Sequence, residues 1–306
     1  LKQCDLSVVE DSQNVMMGVH EMAPPFYSDL GKRAGDLFSK GYHFGLMKLD
    51  LKTKSESGVE FNSGLTSTQE SGKVFGTLQS KYTMSDLGLT FIEKWNTENV
   101  LGTEITIAEK IAPGVKVTLE GSFAPHSGQK AAKLKSSFVN DMVAANTSID
   151  LDMEGPVVDA TAVLHYEGWL AGVLAQFDTQ KTAFNKNHFA IGYQTDKFAV
   201  HTNVDNGSDF GGSVYQKVSD QIECGVNLKW SVASKDTLFA VAAKYNLDAD
   251  ASIYAKVTNT SLVGLGYTQK LREGIFLTLS TCIDGQNFNS GGHKFGIALE
   301  LSPTSS

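Results

Sequence analysis

Apolar and polar residues alternate with a period of two along most of this chain. Over 143–154, Val143, Ala145, Thr147, Ile149, Leu151 and Met153 share one face, and Asn146, Ser148, Asp150, Asp152 and Glu154 share the other. Over 115–123, Val115, Val117, Leu119 and Phe123 oppose Lys116, Thr118, Glu120 and Ser122. The same alternation runs through 198–204, 222–230 and 294–301, where Phe295, Ile297, Leu299 and Leu301 face away from Lys294 and Glu300. Period two is the mark of a strand with two chemically different faces. Turn signals such as Asn206-Gly207, Asp284-Gly285 and Ser290-Gly291-Gly292 separate the runs. From about residue 43 onward they divide the chain into roughly nineteen segments, most close to the length of a tilted membrane strand. No helix of ordinary length interrupts them, which excludes an alternating α/β fold.

The start of the chain differs. After Pro24 and Pro25, Leu30, Ala34, Leu37 and Phe38 recur at helical spacing, with Lys32, Arg33 and Asp36 elsewhere on the wheel. This predicts a short amphipathic helix, with Ser28 or Asp29 as its cap and Gly41 and Gly45 as a flexible joint behind it. Residues 1–21 carry Asp5, Glu10, Asp11 and Glu21 and no long apolar stretch, so they read as neither a secretory signal nor a mitochondrial presequence. They are expected to be a non-native or disordered extension. The domain reading is then 22–42 for helix and joint, 43–302 for the strands, and 303–306 for a tail.

The chain is 41% hydrophobic yet has no apolar run long enough for a membrane-spanning helix. That observation leaves a membrane β-barrel open, because a barrel strand shows lipid only every second residue. A water-soluble sandwich would show similar alternation. Closure favours the barrel, since strands in lipid must satisfy every backbone N–H and C=O among themselves. Trp95, Trp169, Trp230, Tyr166 and Tyr193 fall near segment ends, as interfacial girdles require. The net charge of −8 argues against a nucleic-acid binder. Cys4, Cys224 and Cys282 form no disulfide or metal framework. The histidines make no HExxH pair, and Gly264-Leu265-Gly266 lacks the third glycine of a dinucleotide loop. No enzyme and no cofactor is expected.

Longer motifs carry a resemblance. Met22-Ala-Pro-Pro-Phe-Tyr-Ser-Asp-Leu-Gly-Lys, Gly41-Tyr-His-Phe-Gly-Leu-Met-Lys-Leu-Asp-Leu-Lys, Glu93-Lys-Trp-Asn-Thr, Tyr166-Glu-Gly-Trp-Leu-Ala-Gly and Phe210-Gly-Gly-Ser-Val-Tyr-Gln-Lys resemble mitochondrial porins, the voltage-dependent anion channels. So do 245–267 and Asp284 to Lys294. The resemblance covers about residues 22–302. It implies an all-β, nineteen-stranded transmembrane barrel with the N-terminal helix inside the pore; an odd strand count makes the first and last strands pair in parallel. It also implies voltage-gated diffusion of ions, ATP, ADP and phosphate across the mitochondrial outer membrane. Lys294-Phe-Gly296-Ile-Ala-Leu299-Glu-Leu301 resembles the family's C-terminal insertion signal. The partners implied are membrane lipids, anionic metabolites and nucleotides, hexokinase-type and apoptotic proteins, and further copies of the chain. A docking platform, a protein-import barrel and a weakly conducting paralogue are the alternatives.

Several residues stand out. Glu93 shares a face with Leu87, Leu89, Phe91 and Trp95, which places a carboxylate toward lipid. Resemblance makes it a regulatory position. Lys48, Lys52, Lys73, Lys81, Lys94, Lys116, Lys133 and Lys135 fall on polar faces and are expected to line the pore. Asp150, Asp152, Glu154, Asp159 and Glu223 oppose them, which predicts a weak anion preference. By resemblance, Lys32, Lys40, Leu262, Gly264, Ser280 and Asp284 match a weak nucleotide-contact region, with packing an alternative role for Leu262 and Gly264. Two departures from the family are Gly35 in place of an arginine, with Arg33 nearby, and His43 in place of a glycine.

Overall fold

The computed structural model describes residues 23–151, 155–289 and 291–302. The expected extension 1–21, the tail 303–306, and Cys4, Asp152, Met153, Glu154 and Ser290 lie outside the described residues. A 3-10 turn at Tyr27–Asp29 leads into α1 (Lys32–Ser39). The strands then follow as β1 (Leu46–Lys54), β2 (Glu60–Thr68), β3 (Val74–Met84), β4 (Leu89–Asn96), β5 (Leu101–Ala108), β6 (Val115–Ala124), β7 (Gln129–Val139) and β8 (Val143–Asp150). They continue through β9 (Val157–Tyr166), β10 (Trp169–Asp178), β11 (Ala183–Gln194), β12 (Phe198–Asp205), β13 (Asp209–Lys217) and β14 (Ile222–Ser231). The last five are β15 (Thr237–Asn246), β16 (Ala251–Thr258), β17 (Leu262–Arg272), β18 (Ile275–Asp284) and β19 (Lys294–Leu301).

All nineteen strands form one sheet in which each strand pairs with its sequence neighbours, antiparallel throughout except at the closure. There β1 and β19 run parallel, from Met47 opposite Ile297 to Leu51 opposite Leu301. Closure leaves no edge strand, so each strand is paired with a neighbour on both sides. No helix among the described residues is long and apolar enough to cross a membrane.

The cross-strand register carries each face around the whole wall. Leu49 lies beside Leu65 and Leu299, while Asp50 lies beside Gly64 and Glu300. Outward positions expose Met47, Leu49, Leu65, Leu78, Phe189 and Ile191, an apolar belt far larger than a water-exposed surface sustains. Inward positions carry charge and hydroxyls, such as the Thr106–Thr118 and Thr268–Thr278 pairs at 2.9 Å. The outward aromatics fall at both ends. Tyr166, Trp169 and Tyr193 meet at the far rim, and Trp95 and Trp230 lie at the near rim, where β1 begins. Trp169 and Tyr193 have ring centroids 5.0 Å apart; Trp230 stacks on Phe210 at 5.2 Å.

Three local expectations need correction. Neither Ser28 nor Asp29 caps α1: its N-cap is Gly31, in the left-handed region at φ 71° with no side-chain cap bond. The 3-10 turn uses up those two residues, and only the reversal at Gly31 starts the helix. Lys73 belongs to the turn between β2 and β3 rather than to a wall strand, because β3 begins at Val74. Leu87 likewise sits in a 3-10 turn before Gly88, so β4 starts at Leu89.

Candidate functional site

The inner wall and the N-terminal segment lying on it make up the site. Phe26 borders a cavity of about 660 Å³ with Lys116, Glu120, Lys135 and Asn146, on the β5–β8 side. Residues 27–45 then follow the wall from β9 and β10, past β13–β15, to β16–β19. Tyr27 and Leu30 press on β10 at Gly172, where an added Cβ would stand 2.7 Å from Leu30 Cδ1. Ala34 and Leu37 are buried with Tyr215 and Ala242, and Phe38 and Ala199 complete this small apolar contact. A segment touching both sides of a closed wall lies in the lumen.

Behind the helix the segment is held by unusually close backbone packing. A Cβ on Gly266 would fall 2.3 Å from the Gly41 carbonyl oxygen, and one on Gly296 only 1.7 Å from that of His43. Lys256 Nζ donates to the Phe38 carbonyl oxygen at 2.7 Å and lies 4.1 Å from the Tyr42 ring centre and 5.0 Å from that of Phe44. A cation on a terminal helix carbonyl both satisfies that oxygen and opposes the negative end of the helix dipole. Burial pushes the Tyr42 hydroxyl well above its ordinary pKa and holds His43 below its ordinary value.

The residues matched to nucleotide contact are distributed along this path. Lys32 opens α1 and pairs with Asp29 at 2.8 Å; Lys40 ends it and pairs with Asp36 at 2.7 Å. Leu262 and Asp284 face each other at the near rim. The Asp284 carboxylate accepts the backbone N–H groups of Gln286 and Asn287 and so shapes its own turn. Gly264 and Ser280 sit under the linker, Gly264 against the Phe44 ring and Ser280 as acceptor for the His43 N–H at 2.9 Å.

Among the expected pore cations, Lys48, Lys52, Lys81, Lys94, Lys116, Lys133 and Lys135 point inward by register. Most are answered by a carboxylate. Lys48 meets Asp50 at 2.5 Å, Lys81 meets Glu60 at 3.2 Å, and Lys94 meets Glu104 at 3.2 Å. Lys133 meets Asp150 at 2.8 Å and Lys135 meets Glu120 at 2.5 Å. Asp159 and Glu223 also face inward. At the near rim Lys294 lies 2.8 Å from Glu70 and holds that carboxyl below the usual range by hydrogen bonding. Glu93 is outward and exposed, between Ser80 and Thr103 across the sheet and flanked by Phe91 and Trp95 along it.

Sequence reasoning did not find Lys256, nor the anchoring contacts of Arg33. The available signal was glycine at inward positions, Gly172, Gly225, Gly264, Gly266 and Gly296, which marks where another backbone or ring comes close.

A closed wall, apolar outside and charged inside, with a helix lodged along one side, defines a membrane-spanning pore protein. The eukaryotic porin family matches residues 23–296, and the chain belongs to that family. It is 55% identical over 280 residues to a voltage-dependent anion-selective channel of Drosophila melanogaster, covering 92% of this chain and 99% of that one. It is 54% identical over 278 residues to the non-selective voltage-gated ion channel VDAC2 of Meleagris gallopavo (91% and 94% covered). Identity to the non-selective voltage-gated ion channel VDAC1 of Sus scrofa is 52% over 278 residues (91% and 98% covered).

Proposed function

We propose that this protein is a voltage-gated diffusion channel for ions and anionic metabolites, including ATP, ADP and phosphate, in the mitochondrial outer membrane. The observation that carries the reading is the continuous inner face of charge, with the N-terminal segment lodged along one side of the lumen. Paired lysines and acids keep such a lumen hydrated, and permeation through it needs no binding pocket or chemical step. The names of the relatives support voltage gating. The resemblance of β19 (Lys294–Leu301) to the family's C-terminal insertion signal supports the membrane assignment, and the lumenal lysines support nucleotide and phosphate traffic. No enzymatic activity is part of this function.

The test is planar-bilayer conductance of the full chain at both polarities in a salt gradient. Large steps falling to substates at both polarities support the channel; a folded, inserted barrel without conductance refutes it. A second role, docking of hexokinase-type or apoptotic proteins or of another copy, draws support from one feature, the carboxylate of Glu93 on the apolar outer face. Loss of partner binding in Glu93→Gln with unchanged conductance would separate docking from flux.

A further inference from the structure

Helix α1 is fastened to the far rim by one side chain. Arg33 Nη1 donates to the Thr195 carbonyl oxygen at 2.6 Å, and Nη2 donates to that of Asp196 at 2.5 Å. Both carbonyls belong to the turn between β11 and β12. The same guanidinium lies with its carbon 4.6 Å from the centre of the Tyr215 ring. That ring is itself fixed: the Tyr215 hydroxyl donates to Glu223 Oε2 at 2.8 Å, and Glu223 Oε1 lies 3.5 Å from Lys244 Nζ. A planar fork that reaches two carbonyls and stacks on an aromatic face is a geometry open to arginine and not to lysine.

The neighbouring cations do no such anchoring. Lys32 and Lys40 are satisfied by Asp29 and Asp36 of their own segment. The apolar contact of α1 is small, and an eight-residue helix is far too short to persist in water unaided. The hold at Lys256 acts on the last turn of the helix, at the Phe38 carbonyl. Without Arg33, the start and middle of α1 would rest on the wall through Ala34, Leu37 and van der Waals contact alone.

We infer that Arg33 is the latch of the pore helix and that the Thr195–Asp196 turn is its catch. Arg33 is a positioning residue: it keeps α1 against β13–β15 and out of the conducting path. The guanidinium is held by carbonyls and a ring, with no carboxylate within ion-pair distance among the described residues, so its full charge is available to a transmembrane field. Strong potentials would therefore act directly on the group that holds the helix in place. The gating consequence rests on the channel function proposed above; the anchoring does not.

The test uses the full chain in lipid nanodiscs and in planar bilayers, with Ala34→Cys as a probe. Position 34 is buried against the wall, so a water-soluble maleimide should label it slowly, as read by mass spectrometry of the peptide that contains it. In the Arg33→Ala background, labelling should rise roughly tenfold or more, as loss of two hydrogen bonds from a charged group implies. Closure should begin at smaller voltages while the fully open step keeps its size. Arg33→Lys, which keeps the charge and stem, should move both readouts the same way by less. It also keeps the proposal testable if the alanine variant inserts poorly. Unchanged labelling in both variants would overturn the latch. Labelling that responds, from a chain that never conducts, would support the latch and overturn the channel function.

Discussion

The backbone N–H of His43 donates to Ser280 Oγ at 2.9 Å, tying the linker behind the pore helix to the inner face of β18. Next to this bond, Gly296 of β19 lies so close to the His43 carbonyl that a methyl group cannot fit. Ser280→Ala leaves a lumenal N–H without its partner at a cost of about 1 kcal/mol, roughly a fivefold shift toward a released linker. Gly296→Ala should do more, because backbone rather than a flexible side chain must move. Trypsin accessibility at Lys40 in nanodiscs measures both, and the expected order is wild type, Ser280→Ala, then Gly296→Ala.

His43 should make that seating depend on pH. Burial comes first in lowering its pKa from 6.5; Lys48 adds to the effect, while Glu300 and Asp50 oppose it. Seating therefore favours the neutral ring. The contribution is fully present above about pH 6.5, the unfolded value, and is lost as pH falls toward and through the lower folded value. Acidification from pH 8 should promote closure at smaller voltages, and His43→Asn should flatten that dependence. An identical pH profile in the variant would show that the sensitive group lies elsewhere.

Gly35 is a weak point in α1 with room for repair. No atom lies within 4 Å of where its Cβ would be, and its backbone is helical. Gly35→Ala should stabilise the helix by about 1 kcal/mol and slow the labelling of Ala34→Cys by a similar factor in free energy. Faster labelling would mean that the helix needs its present pliability to fit the wall.

The lumenal charge is mostly self-compensated. Lys94, Lys133 and Lys135 are each within ion-pair distance of an acid on a neighbouring strand. Reversal potentials in a salt gradient should show only a weak preference for anions. Glu104→Gln together with Glu120→Gln frees Lys94 and Lys135, and should shift the potential toward stronger anion selectivity. A shift toward cations would show that these acids do not set the field along the path.

Glu93 faces the apolar outer surface beside Phe91 and Trp95. A carboxylate on the lipid side of a barrel costs up to a few kcal/mol near the midplane, depending on depth. A lipid-soluble carbodiimide should modify the wild type at this position and spare Glu93→Gln, with the open conductance equal in both. Equal reagent incorporation into both proteins would count against a lipid-facing, protonatable group.

The strand series, its two faces and the aromatic ends were legible in the sequence because period-two alternation is a local property that one or two strands already display. Val115, Val117 and Leu119 point outward for the same reason that Lys116 and Glu120 point inward. The glycine joint and the amphipathic stripe of α1 were legible on the same basis. Lys73 was not, because the turn after β2 runs up to Val74 and so takes Lys73 out of the wall without altering the alternation. What only the tertiary structure decided is where the helix lies and what holds it. Arg33 meets Thr195 across 162 residues, and His43 meets Ser280 across 237. Closing the sheet brings such partners together, and neither residue's local sequence carries any mark of the other.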